Sequence, residues 1–207
     1  MSAAVERAGA APPLTTRTAL AIVVPHLAGH AVVCANGFIS RWAFAAGDRE
    51  SHFYMIGSMG LASSIGLGIA TARPGAAVAV LDGDGNVLMN LGALASIAAA
   101  APPRFRHVVL DNGAYASTGN QPTISRRVAL EAIAAAAGYA RVARVRDRAG
   151  LEHALAEHLD STGPTFLLVE TAVDEGPPAP RIPFSPPEMT ARFRSAVGAS
   201  VAPSETR

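Results

Sequence analysis

Continuous apolar runs alternate with segments of helical periodicity along this chain. Runs at 31–35, 53–56, 76–81, 105–110, 140–145 and 165–169 predict six strands. Between them, Thr18 to Leu27, Phe38 to Ala45, Leu61 to Ala72, Val87 to Ala100, Val128 to Ala137 and Ala149 to Leu159 predict helices. Pro25 disturbs the first helix, Arg73-Pro74-Gly75 stops the third and Pro102-Pro103 stops the fourth. The strands are unbroken apolar runs and not alternating ones, so both of their faces are covered. That pattern predicts an α/β fold: a doubly wound, mainly parallel six-stranded sheet with helices on both faces. The boundaries read as a flexible leader over 1–15, one α/β domain over 16–173, and a proline-rich C-terminal arm over 174–207. Prolines at 177, 178, 180, 183, 186 and 187 predict an extended course for the arm, closed by a short helix from Glu188 to Val197.

Composition narrows the picture. Of 207 residues, 50% are hydrophobic and 16% charged, which supports a packed core and excludes wholesale disorder. The net charge is +1 and the arginines are spread along the chain, so neither nucleic acid nor an anionic membrane is an expected partner. Cys34 is the single cysteine, which excludes an internal disulfide and a thiolate metal cluster. Its apolar neighbours predict a small buried residue. The first thirteen residues are small and polar and contain no apolar signal segment. The weakly apolar stretch Leu91 to Ala101 is too short to span a bilayer, so the expectation is a soluble, cytoplasmic protein.

In a sheet of this type ligands bind at the carboxyl ends of the strands, and three strand-end loops stand out. Gly57-Ser58-Met59-Gly60 follows the second strand, Asp82-Gly83-Asp84-Gly85-Asn86 the third, and Asp111-Asn112-Gly113-Ala114-Tyr115 the fourth. Each alone is also an ordinary turn or helix cap. Together they place a carboxylate, Asp84, beside a side-chain amide oxygen, Asn112. One carboxylate, one amide oxygen and a backbone carbonyl make a poor cage for a bare metal. They suit Mg²⁺ that also holds diphosphate oxygens and water. Gly85 and Asn86 stand where donors would meet those phosphates. Gly66-Leu67-Gly68 lies inside a helical pattern and lacks the third glycine of a nicotinamide fingerprint.

The spacing Gly83-Asp84-Gly85, 26 residues, Asn112 resembles the thiamine diphosphate motif of thiamine-dependent enzymes. Phe53 to Gly68, Leu81 to Leu94, Asp111 to Thr123 and Arg181 to Pro187 resemble the sulfopyruvate and phosphonopyruvate decarboxylase group, and within it the beta-subunit type. The resemblance runs from about Thr18 to Val197. It implies Mg²⁺ ligated by the side chains of Asp84 and Asn112 and by the carbonyl of Ala114. It implies that Gly83, Gly85 and Asn86 hold the diphosphate, with Gly57 and Ser58 beside it. Met59 would be the apolar wedge that bends the cofactor. Tyr115 and Gln121, with Ser117 and Thr118, would face the substrate. Two positions depart from common family usage: Asn120 replaces a glycine, and Asp111 replaces the asparagine of many thiamine enzymes. Asn120 tolerates a left-handed backbone better than most residues.

The resemblance also implies a partner. In this superfamily a glutamate on a separate pyrimidine-binding domain activates the cofactor, and none of the glutamates here has a matching motif. A pyrimidine-binding alpha subunit is therefore expected, with the active site at the interface. The implied reaction is loss of CO₂ from a small anionic 2-oxoacid, with 3-sulfopyruvate as first candidate and phosphonopyruvate or another 2-oxoacid as second. Two other readings stay open: a scaffold subunit that keeps the fold without catalysis, and a different diphosphate or nucleotide binder on the same sheet type.

Overall fold

The computed structural model describes residues 14–199 apart from 175 and 178, so 1–13 and 200–207 of the expected leader and arm lie outside the described residues. In chain order the elements are α1 (Thr16–His26), β1 (Ala31–Cys34), α2 (Phe38–Ala46), β2 (His52–Tyr54), α3 (Ala62–Ala72), β3 (Val78–Gly83), α4 (Asp84–Leu88) and α5 (Gly92–Ala100). Then follow β4 (Phe105–Asp111), β5 (Ala114–Tyr115), β6 (Gln121–Pro122), α6 (Leu130–Ala137), β7 (Arg141–Val145), α7 (Arg148–Asp160), β8 (Thr165–Glu170) and α8 (Pro186–Ala199). Six strands form one parallel sheet in the order β2-β1-β3-β4-β8-β7. The hairpin β5–β6 stands apart from it.

Strand residues alternate between two cores, as a pleated strand requires. Val32, Cys34, Ala79, Leu81, Val108 and Leu110 face one core with α1, α2, α7 and α8. Val33, Val78, Val80, Phe105 and Val109 face the other with α3, α5 and α6. The continuous apolar runs of the sequence have this cause. Cys34 is buried and free, and burial pushes its thiol pKa up. β7 differs because it is an edge strand: Arg144 pairs with Glu131 and Glu170, and Arg141 with Glu157. Such charges discourage further strand pairing.

Several boundaries shift for local reasons. Leu14, the first described residue, is buried and accepts a hydrogen bond from the Ala172 N–H at 2.7 Å. Thr15 caps α1: its hydroxyl accepts from the Thr18 N–H at 3.2 Å, while the Thr18 hydroxyl accepts from the Thr15 N–H at 2.8 Å. The single helix expected over 87–100 is two, because Asn90 bends the chain. Its amide donates to the Gly60 carbonyl at 3.0 Å and to the Ser64 hydroxyl at 3.2 Å. β2 stops at Tyr54, and Ile56 is 72% exposed. The final helix packs on this same domain. Met189 and Phe193 are buried, the Phe193 ring lies 5.5 Å from that of Phe53, and Arg192 pairs with Asp48 at 2.7 Å.

Two stability predictions arise here. Gly66 is a packing glycine: a Cβ there would lie 2.5 Å from Val80 Cγ2 and 3.2 Å from the Phe105 ring. Gly66→Ala is expected to cost about 1–3 kcal/mol by overpacking, read as a lower denaturant midpoint. His52 and His158 are buried, and burial with nearby arginines pushes both down to about 4 from 6.5. The unfolded chain therefore takes up protons at these sites before the folded one does. Their contribution is full above pH 6.5 and is lost as the pH falls through about 4. Both ring nitrogens of His158 lack partners, so His158→Leu should give a shallower acid limb in melting temperature against pH. An acid limb as steep as wild type would contradict this.

Candidate functional site

The chain leaves β1 toward one edge of the sheet and returns to β3 on the other side, so the sheet switches direction between these neighbours. That crevice is where such sheets take ligands. A cavity of about 680 Å³ opens there. Ala35 and Asn36 line it from the end of β1, and Gly83, Asp84, Gly85 and Asn86 from the end of β3. Asn112, Ala114 and Tyr115 line it from the end of β4 and the hairpin, with Met59 from the loop after β2. Phe38 and Ile39 of α2, Ser117 and Thr118 of the hairpin loop, and Val173, Asp174 and Gly176 add to the wall.

Asp84 is buried, at 2% exposure. Burial raises its pKa first; the Thr123 hydroxyl, which donates to its Oδ2, lowers it, and the charge of Asp111 raises it again. A desolvated carboxylate at the wall of a cavity is a place for a cation. Asn112 Oδ1 accepts the Ala114 N–H at 3.0 Å, which leaves its second lone pair for another ligand. Ala114 pairs with Pro122 across the hairpin, and proline has no N–H to offer the Ala114 carbonyl. Among the described residues no group of three or more His, Cys, Asp or Glu side chains gathers at a metal site. The donor set of one carboxylate and two neutral oxygens fits Mg²⁺ that draws its remaining ligands from a diphosphate and water.

The backbone around these oxygens is tightly specified. A Cβ at Gly85 would overlap the Tyr115 ring, so only glycine lets the hairpin close on the turn after β3. The side chain of Asn86 is bonded internally at both ends. Its amide donates to Asp82 Oδ1, and its Oδ1 accepts the Gly60 N–H. Asn86 keeps its backbone and one amide hydrogen for a phosphate, while its side chain ties the β3 turn to the loop that carries Met59. That loop turns through Ser58 at φ 57° and Gly60 at φ 93°. A serine in the left-handed region stores strain, a common feature of ligand loops.

Not every expected site residue reaches the cavity. Gly57 and Ser58 are exposed and outside its lining; Ser58 belongs to the turn that carries Met59. Gln121 is exposed, and its amide closes back on Thr118, with contacts of 3.1 and 3.2 Å. Asn120 takes φ 59°, the left-handed backbone that its place in a glycine position demands. Several residues were not anticipated. The Asn36 Oδ1 is buried at the cavity wall without a partner among the described residues. Asp82 pairs with His107 at 3.1 Å, and Asp111 accepts from the Ser125 hydroxyl at 2.8 Å. Asp82 was visible as the first acid of an Asp-Gly-Asp-Gly run. Its histidine partner emerges only when β3 and β4 lie side by side.

The thiamine pyrophosphate enzyme C-terminal TPP binding domain matches residues 32–169. The chain belongs to that family. A phosphonopyruvate decarboxylase of Streptomyces viridochromogenes is 45% identical over 171 residues, 81% of this chain and 42% of the relative. A sulfopyruvate decarboxylase subunit beta of Methanococcus maripaludis is 38% identical over 184 residues, 89% of this chain and 98% of the relative. The chain thus spans less than half of the Streptomyces protein and nearly all of the methanococcal subunit. In structure, benzoylformate decarboxylase from Polynucleobacter necessarius matches with a TM-score of 0.65 at 18% identity, over 78% of this chain and 34% of that one. At this identity the likeness speaks for the fold alone. As a thiamine diphosphate-binding domain, the chain presents its cavity where the strands of β1, β3 and β4 end. Among the described residues no helix is long and apolar enough to cross a membrane.

Proposed function

We propose that this domain is the diphosphate-binding component of a thiamine-diphosphate-dependent 2-oxoacid decarboxylase. Its substrate would be a small 2-oxoacid with a second strong anion, 3-sulfopyruvate first. The observation that carries this reading is the convergence of Asp84, Asn112, Ala114 and Met59 on one cavity at the sheet's switch point. Asp84 and Asn112, with the Ala114 carbonyl, would hold Mg²⁺ against the diphosphate. Gly83, Gly85 and the backbone of Asn86 would approach the phosphate oxygens, and Met59 would support the cofactor's bend. Bound thiamine diphosphate supplies the electron sink for loss of CO₂. Tyr115, Ser117 and Thr118 line the hairpin side of the cavity and would orient the substrate's anionic end. A pyrimidine-binding alpha subunit carrying the activating glutamate would complete the site.

Alignment along 98% of a sulfopyruvate decarboxylase beta subunit supports sulfopyruvate and a separate partner. The 45% identity to a phosphonopyruvate decarboxylase supports phosphonopyruvate as the second reading. The test is CO₂ release by the chain combined with its pyrimidine-binding partner, with thiamine diphosphate and Mg²⁺. Turnover of sulfopyruvate well above phosphonopyruvate is the expected result. The reverse order selects the second reading. No release from any 2-oxoacid by the cofactor-loaded complex would overturn the catalytic proposal in favour of a scaffold.

A further inference from the structure

Thr123 follows β6 directly and is 9% exposed. Its hydroxyl donates to Asp84 Oδ2, and its N–H donates to the Gly113 carbonyl at 2.9 Å. The same hydroxyl lies 3.0 Å from Ser125 Oγ, which donates to Asp111 Oδ1 at 2.8 Å. One buried chain of oxygens, Asp84–Thr123–Ser125–Asp111, therefore joins the ends of β3 and β4. It also anchors the returning arm of the hairpin to the carboxylate at the cavity wall. Besides the packing of the Tyr115 ring on Gly85, the hairpin has few holds: its strands are two residues long, and residues 117–121 between and within them are exposed. Yet its Tyr115, Ser117 and Thr118 form one wall of the cavity.

We infer that Thr123 is a positioning residue that couples the hairpin to the metal centre. Its hydroxyl fixes the rotation of the Asp84 carboxylate for the cation, and the fixed carboxylate in turn holds the hairpin closed over the site. Occupancy of the cofactor end thereby orders the substrate end. The inference rests on the cofactor site proposed above. Without the Thr123 hydroxyl the Asp84 carboxylate keeps only Ser125 and the Gly85 N–H and is held less firmly, and the hairpin loses its bond to it at the same step.

The test uses the full chain with its pyrimidine-binding partner, thiamine diphosphate, and Mn²⁺ in place of Mg²⁺. Thr123→Val should weaken binding about tenfold or more, whereas Thr123→Ser should stay within about threefold of wild type, in line with the loss of an outer-shell ligand partner. Amide hydrogen exchange over 114–121 should slow on cofactor addition in wild type and Thr123→Ser but not in Thr123→Val. A merely structural role would lower the melting temperature of Thr123→Val and leave both readouts unchanged, which would overturn the inference while the cofactor site stands. Absence of binding by wild type would overturn both. Should Thr123→Val fail to fold, wild type decides alone: hairpin exchange that does not change when cofactor binds would overturn the coupling.

Discussion

Replacing Asp84 with alanine should abolish metal-dependent binding of thiamine diphosphate and leave the fold intact. Asp84 is the one carboxylate in the proposed ligand set, since Asn112 and the Ala114 carbonyl contribute neutral oxygens. Without its charge, Mg²⁺ loses the ligand that holds it to the protein between diphosphates. The expected weakening is at least about 100-fold, beyond the 10–100-fold that loss of an outer-shell partner costs. Stability should move the other way. Burial and the neighbouring Asp111 charge hold the Asp84 pKa up, so the ionised side chain is a liability in the metal-free fold. Asp84→Ala should therefore melt at or above the wild-type temperature in metal-free buffer. Calorimetric titration with and without Mg²⁺, beside a thermal melt, checks both halves. Binding within a few-fold of wild type would remove Asp84 from the site.

Asp82→Ala should be the most destabilising change near the cavity. The side chain is 1% exposed and has three partners: the Gly83 N–H at 2.9 Å, the Asn86 amide, and His107 Nε2 at 3.1 Å. His107 is itself fully buried, with its Nδ1 3.3 Å from the Tyr139 hydroxyl. Alanine would leave the Asn86 amide and the His107 ring N–H in the interior without an acceptor. Each such group costs about 1–3 kcal/mol, so a total near 3 kcal/mol is expected. That is a large part of a typical folding free energy of about 5–15 kcal/mol. Function should suffer as well, because Asn86 holds the Gly60 N–H and so the turn that presents Met59. Denaturant unfolding with an unchanged slope and a lower midpoint is the expected readout. A loss under about 1 kcal/mol would show that the network relaxes without Asp82.

The sheet was legible because its inner strands are buried on both faces and read as largely apolar runs, whereas the edge strand β7 carries Arg141 and Arg144 among its apolar positions. The order of those strands was not, since apolar periodicity carries no information on which neighbour a parallel strand takes. The candidate ligands were legible for a different reason: Asp84 and Asn112 each follow a strand end directly and Ala114 lies three residues past one, where chain position alone puts them near the carboxyl edge. Residues that act across the sheet escaped notice. His107 lies within an apolar strand, and Thr123 lies in a polar loop 39 positions from the carboxylate that it bonds. Gln121 shows the opposite case, a polar residue in the right loop whose side chain satisfies itself locally on Thr118. The helix break at Met89–Leu91 was hidden too, because Asn90 is an ordinary helix residue until Gly60 comes within its reach.

On the proposed function, Asp84, Asn112 and the Ala114 carbonyl hold one divalent cation against the diphosphate of thiamine diphosphate. Anomalous X-ray diffraction from crystals of the chain grown with thiamine diphosphate and Mn²⁺ tests it most directly. One manganese peak is expected at the carboxyl edge of β3 and β4, with oxygens of all three residues and two phosphate oxygens in its coordination shell. A peak elsewhere, or a diphosphate bound away from Gly83–Asn86, would contradict it.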